Sequence, residues 1–147
     1  MTKPNYIMQT YIRCTQDALW DALRDANSVI HYDFMCQSAK REGDTLIYLA
    51  PDNTVTLHAR EVLVTPKTQL VTTFEPKWAP DIPTSQITYD IEDCGDFCKL
   101  TVTHAGIEPD QLDEVADGWQ RSMDGLKTWL ETGTPANFGN PEMWDEA

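Results

Sequence analysis

Between Pro109 and Gly133 the chain carries one long amphipathic helix, and this segment constrains the fold more than any other. Leu112, Val115, Ala116, Trp119, Met123, Leu126 and Leu130 recur at the spacing of a helical face. Pro109 suits a first helical position, and Asp110, Asp113 and Glu114 place negative charge where the helix dipole is positive. Lys127 lies near the other end, and Gly133 supplies a C-cap. A helix of about 20 residues is roughly 30 Å long. With a single wide apolar face, it needs a surface of similar length to cover, such as a small sheet.

The residues before it supply that sheet. Tyr6 to Arg13 reads as a first strand. Thr15 is an N-cap for a helix with apolar positions at Leu19, Trp20 and Leu23, with Ala22 and Ala26 between them. Asn27 and Ser28 interrupt the pattern, and a short helix or turn follows over Val29 to Tyr32. From Ser38 onward, strands alternate with turns. Strands are predicted over Thr45 to Leu49, Thr54 to Val64, Leu70 to Phe74, Ser85 to Glu92 and Phe97 to His104. The turn Asp93-Cys94-Gly95-Asp96 makes a hairpin of the last two. Pro76, Pro80 and Pro83 make Glu75 to Thr84 a loop or a sheet edge. This order predicts an α+β helix-grip: an antiparallel sheet of about six or seven strands wrapped around a long C-terminal helix, with one or two short helices after the first strand. Residues 1–133 form one domain in this reading. Residues 134–147 are an acidic tail, either loose or laid over the body through Phe138 and Trp144.

Charge narrows the function classes. With 24 acidic and 11 basic side chains, the chain carries a net charge of −13. Such a field repels phosphate backbones and anionic lipid, so neither nucleic acid nor a membrane surface is expected as a partner. Solubility or a salty habitat explains the charge as well as any function does. No apolar run reaches the ~18 residues of a membrane span. Met1 to Gln9 has no apolar signal-peptide core, so a cytoplasmic location is expected. Cys14, Cys36, Cys94 and Cys98 are then read as free thiols.

Candidate chemistry is sparse. Trp119, Met123 and Leu126 face the sheet, either as ordinary core or as the wall of a cavity. Arg60 and Glu61 take opposite faces of one strand, and whichever points inward needs a partner. An inward Arg60, with Tyr48, Tyr89 and Asp90 nearby, would orient a carboxylate-bearing ligand. His104 ends the last strand. Its expected role is a structural hydrogen bond across the strand-to-helix turn, with general-base chemistry as the rival reading. His31 and His58 match no metal pattern, and the Cys94-x3-Cys98 spacing supplies two of the four ligands of a structural zinc. Under oxidation those two thiols are candidates for a cross-turn disulfide. The proline-rich loop, with Trp78 and Ile82, is a candidate lid or partner contact. The chain has no Gly-rich phosphate loop, Gly-x-Ser-x-Gly elbow or His-Glu-x-x-His motif, so no cofactor, metal or catalytic set is expected.

Three stretches carry a family resemblance: YIRCTQDALWDALRDAN (11–27), AREVLVTPKTQLVTTF (59–74), and CKLTVTHAGI (98–107) followed by GWQRSMDGLKTWLETG (118–133). They resemble the SRPBCC (START-like, birch-pollen-allergen-like) superfamily. Within it the resemblance is to bacterial homologues of the activator of the heat-shock-protein-90 ATPase, over about residues 6–133. The resemblance implies a helix-grip fold and leaves function open among three classes. The leading expectation is a protein binding a small apolar or amphipathic molecule between sheet and C-terminal helix, at Trp119, Met123, Leu126, Arg60, Tyr48, Tyr89 and His104. The second is a co-chaperone-like interaction module acting on a chaperone partner. The third is a cavity enzyme of cyclase or hydrolase type. The apolar loop and tail also leave room for a homodimer.

Overall fold

The structure is a computed structural model and describes residues 5–33, 38–77, 81–136 and 138. The described residues form seven strands and three α-helices, in the order β1 Tyr6–Ile12, α1 Gln16–Arg24, α2 Ala26–Val29, β2 Ser38–Glu42, β3 Thr45–Leu49, β4 Val55–Thr65, β5 Gln69–Pro76, β6 Ser85–Asp93, β7 Cys98–Ala105 and α3 Leu112–Thr132. A 3₁₀ turn at Pro109–Gln111 leads into α3. The strands form one antiparallel sheet in the order β1-β7-β6-β5-β4-β3-β2. This is the expected α+β helix-grip, with β1 and β2 as its edges.

Local chemistry sets the element ends. The Thr15 hydroxyl accepts from the backbone N–H of Ala18 at 3.1 Å and starts α1. The Asp25 carboxylate accepts from Asn27 N–H at 3.0 Å, ending α1 and opening α2 in one step. Gly133, at φ 74°, closes α3 by donating to the Trp129 carbonyl at 2.8 Å. β5 runs on through Pro76, which was expected in the loop. Proline is tolerated there because it ends the strand, opposite Leu57.

The inner face of the sheet follows from alternation. Leu46, Tyr48, Leu57, Leu70, Ile87, Leu100 and Val102 are buried there against Leu19, Trp20 and Leu23 of α1 and Met123 and Leu126 of α3. One cross-strand row on this face runs Tyr6, His104, Ile87, Thr72 and Glu61. Beyond Glu61 a bulge inserts Val62, and the tip of β4 leaves Val62, Leu63 and Val64 exposed.

The seam of α3 is built from smaller residues than its apolar spacing implied. Besides Met123 and Leu126, its buried positions are Gly118, Ser122 and Gly125. A Cβ on Gly125 would lie 2.5 Å from the carbonyl oxygens of both Tyr32 and Ala136. Glycine at this position lets the segment after α2 and the returning C-terminal segment press against the helix backbone. That segment is held by Ala136 N–H to the His31 carbonyl at 3.3 Å and by Arg121 to the Phe138 carbonyl at 2.7 Å. Trp144 lies outside the described residues.

The C-terminal half of α3 also reaches the β1 edge. Lys127 donates to the Tyr11 carbonyl at 2.6 Å, and Glu131 accepts from Arg13 N–H at 2.9 Å. The two side chains pair with each other at 2.7 Å. Backbone groups that a neighbouring strand would otherwise satisfy are met by helix side chains.

Candidate functional site

Three of the expected ligand contacts come together where the N-terminal half of α3 crosses β6 and β7. His104 is 1% exposed. The Trp119 indole N–H donates to its Nδ1 at 3.0 Å, and Ser85 Oγ lies 2.7 Å from its Nε2. Phe74 packs against the imidazole with ring centroids 4.8 Å apart. Tyr89 meets Trp119 edge-on at 6.0 Å.

The hydrogen bonds fix the proton. Indole nitrogen only donates, so Nδ1 must offer its lone pair, and the proton of the neutral ring sits on Nε2, pointing at Ser85. Burial pushes the His104 pKa down to about 4, so the ring is neutral at pH 7. A nucleophilic serine needs the opposite arrangement, with Nε2 accepting. The pair is wired as a fixed donor–acceptor relay between sheet and helix. Its partners lie 19 and 15 residues away, so no local motif revealed them.

Around this node the inner face is aromatic. Burial, and then the Asp33 carboxylate, pushes the Tyr89 hydroxyl well above the usual phenol range. Phe74, Tyr89 and Trp119 all remain only partly buried. Met123, Leu126 and Tyr48 are fully inside the core.

Arg60 departs from expectation. It is exposed on the outer face, and the inward polar group of β4 is Glu61, on the same side as Leu57 and Ala59. The partners Glu61 needs are two arginines. Arg24 of α1 grips its carboxylate through Nε and Nη2 at 2.7 and 2.9 Å. Arg41 of β2 grips it through Nη2 and Nη1 at 2.7 and 3.2 Å. Burial alone would raise the Glu61 pKa. The hydrogen bonds and charges of Arg24 and Arg41 together outweigh it and bring the pKa to about 2. Arg24 also lies 5.1 Å over the Trp20 ring. This clamp ties α1 to β2 and β4. The inward alternation of Leu57, Ala59 and Glu61 was its one signal in the sequence.

The remaining candidates separate. His58 faces Glu75 at 4.0 Å on the outer side, and His31 stacks on Trp129 with centroids 4.4 Å apart. Gln69 ties down Asp90 at 2.8 Å. Cys94 and Cys98 do not come together as a pair. Because Asp93 pairs with Cys98, Cys94 is left in the turn, where its thiol reaches the Glu92 carboxylate at 3.6 Å. Cys98 is buried instead beside Cys14, whose carbonyl lies 3.6 Å from the Cys98 sulfur. Burial, and then Cys98, push the Cys14 thiol up to about 12. Cys14, Cys94 and Cys98 are all free. Cys36 and Trp78 lie outside the described residues. Among the described residues no group of His, Cys, Asp and Glu could hold a metal, and no helix is long and apolar enough to cross a membrane.

This architecture has known counterparts. CalU16 from Micromonospora echinospora is 20% identical at a TM-score of 0.70, over 88% of this chain and 77% of that one. The Aha1 dimer from Colwellia psychrerythraea is 14% identical at 0.72, over 88% and 98%. An HSP90 activator from Plasmodium falciparum is 15% identical at 0.71, over 86% and 95%. At such identities these structures share the fold. No curated protein matches the chain. The family model described as Activator of Hsp90 ATPase homolog 1-like protein matches residues 13–131, most of the chain. The chain therefore belongs to the family of activator of Hsp90 ATPase homolog 1-like proteins.

Proposed function

We propose that the protein is a cytoplasmic binder of a small apolar or amphipathic molecule, held between the inner face of the sheet and the N-terminal half of α3. The observation that carries this reading is the partial accessibility of three neighbouring aromatic side chains, Phe74, Tyr89 and Trp119, on the inner face beside a buried polar node. Apolar walls with a few fixed polar groups are the usual makeup of a small-molecule site. Trp119 and Tyr89 are the proposed aromatic contacts and His104 the polar anchor. Met123, Leu126 and Tyr48 form the floor. Native mass spectrometry of gently purified protein tests this. A bound mass that disappears on denaturation, and is reduced in Trp119→Ala, is the expected result. A bare protein mass, together with no fluorescence response of an amphipathic naphthalenesulfonate dye, would sink it.

A second reading has its own support in the family membership and in the likeness to an HSP90 activator. In it the protein acts on a chaperone ATPase through its surface. Its test is the chaperone's ATPase rate with and without this protein, and an unchanged rate removes the reading.

A further inference from the structure

The charge beside the aromatic face has the opposite sign to the one that the sequence suggested. Arg60, which would have anchored a carboxylate, is exposed on the other side of the sheet. The basic side chains of α1, β2 and α3 are each engaged elsewhere. Arg24 and Arg41 hold Glu61, and Lys40 pairs with Glu42. Arg121 binds Asp117 and the Phe138 carbonyl, and Lys127 binds Glu131 and the Tyr11 carbonyl. One acid does approach the rings. Asp33 is 8% exposed. Its N–H closes the turn after α2 on the Val29 carbonyl at 2.8 Å, and the carbonyl of Tyr32 beside it lies against Gly125 of α3. Asp33 therefore sits where α2 meets α3, with its carboxylate near enough to the Tyr89 hydroxyl to oppose ionisation of the phenol. The rings themselves cross at steep angles: Tyr89 on Trp119 at 72° and His104 on Trp119 at 90°. Such edge-on contacts leave π-faces unstacked. Among the described residues the Tyr89 hydroxyl has no hydrogen-bond partner, and no fully enclosed side-chain nitrogen or oxygen lacks one, so this hydroxyl is reached from the open side of the face.

We propose that this face takes the ammonium head of an amphipathic amine, with the rings of Tyr89 and Trp119 around the charge and the Asp33 carboxylate beside it. The inference rests on the binding reading above and names the polar end of its ligand. Aromatic faces carry negative potential and attract a cation, more strongly where water is excluded. A carboxylate held close by, away from bulk water, adds to that attraction and penalises an anion. The field of the whole molecule acts in the same direction, since a net charge of −13 gathers cations and repels carboxylates. A fully alkylated ammonium suits the rings best, because it needs no hydrogen-bond acceptor from them.

Isothermal titration calorimetry with three probes of equal chain length tests it: decyltrimethylammonium, decanoate and the neutral decyl glucoside. Each is used below its micelle concentration, in salt that screens the surface field. The ammonium is expected to bind about tenfold tighter than the glucoside, and decanoate more weakly than either. Tyr89→Leu and Asp33→Asn should each remove most of the ammonium's advantage while the glucoside still binds. Asp113→Asn, on an exposed position of α3, removes the same charge from the surface and should leave the ranking unchanged. Circular dichroism confirms that each variant is folded, and the wild-type ranking decides alone where one is not. An ammonium that binds no tighter than the glucoside overturns the inference and leaves the binding reading standing, as does a preference that survives both Tyr89→Leu and Asp33→Asn. If none of the three probes binds, the binding reading falls and this inference with it.

Discussion

Glu61 and His104 stand three strands apart on one inner-face row of the sheet, and they solve the burial of a polar group in opposite ways. Glu61 keeps its charge and recruits two arginines from other elements. His104 gives up its charge and is satisfied by a neutral donor and a neutral acceptor. The charged solution needs partners of opposite sign and ties three elements together. The neutral solution needs only correct hydrogen-bond polarity, and it leaves aromatic surface around itself. The first is suited to holding a sheet in shape, the second to lining a site that must also accept something apolar.

The largest effect is expected where charge compensation is removed. Glu61→Gln leaves Arg24 and Arg41, whose side chains are 31% and 30% exposed, facing each other without a counter-charge, and with that hydration should cost roughly 3 kcal/mol in urea unfolding at pH 7. A loss below about 1 kcal/mol would mean that water, not Glu61, satisfies the arginines.

Acid should separate the two nodes next. The pKa of His104 is about 4 when folded, against an ordinary 6.5, so the unfolded chain binds the extra proton first. Its contribution is present above pH 6.5 and is lost as pH falls towards 4, by roughly 3 kcal/mol in all. Glu61 falls from an ordinary 4.5 to about 2, so its contribution persists above pH 4.5 and disappears only as pH falls towards 2. Stability measured against pH in His104→Phe should lose the upper limb and keep the lower one. An unchanged upper limb would assign it to another group.

Gly125→Ala tests whether both nodes depend on how low α3 lies over the sheet. The added methyl group meets two carbonyl oxygens and should destabilise by about 2 kcal/mol. Because the cause is packing, the loss should be equal at pH 5 and pH 8. A pH-dependent loss would show that the helix height feeds into the titrating groups. Smallest, Trp119→Phe should cost about 1 kcal/mol by removing one hydrogen bond. It should also raise the His104 pKa in an NMR titration, because the indole N–H no longer occupies the Nδ1 lone pair.

The architecture was legible because its signals are local and periodic: the α3 stripe, the Thr15 cap, the hairpin of β6 and β7. The sites were less so because their contacts are not local. Alternation says that Arg60 and Glu61 oppose each other, but only the strand's place in the sheet says which is inside. Ser85 and Trp119 reach His104 through register and helix placement, neither of which leaves a mark in the spacing of those residues. The same limit explains the cysteines. A spacing of four across a turn looked like a pair, while the ladder set Cys98 against β1 and brought Cys14 beside it.

The attachment of α3 is uneven along its length. Its C-terminal half is fixed to backbone atoms of β1 by Lys127 and Glu131, and by the close approach at Gly125, whereas its N-terminal half is latched to the sheet by the Trp119 side chain on His104. On this distribution of contacts, residues 112–119 are expected to detach before residues 125–131. Amide hydrogens in the first turns of α3 should therefore exchange well before those in its last turns. The end expected to detach first is the one carrying Trp119, so its release would uncover the aromatic face without dismantling the sheet that supports it.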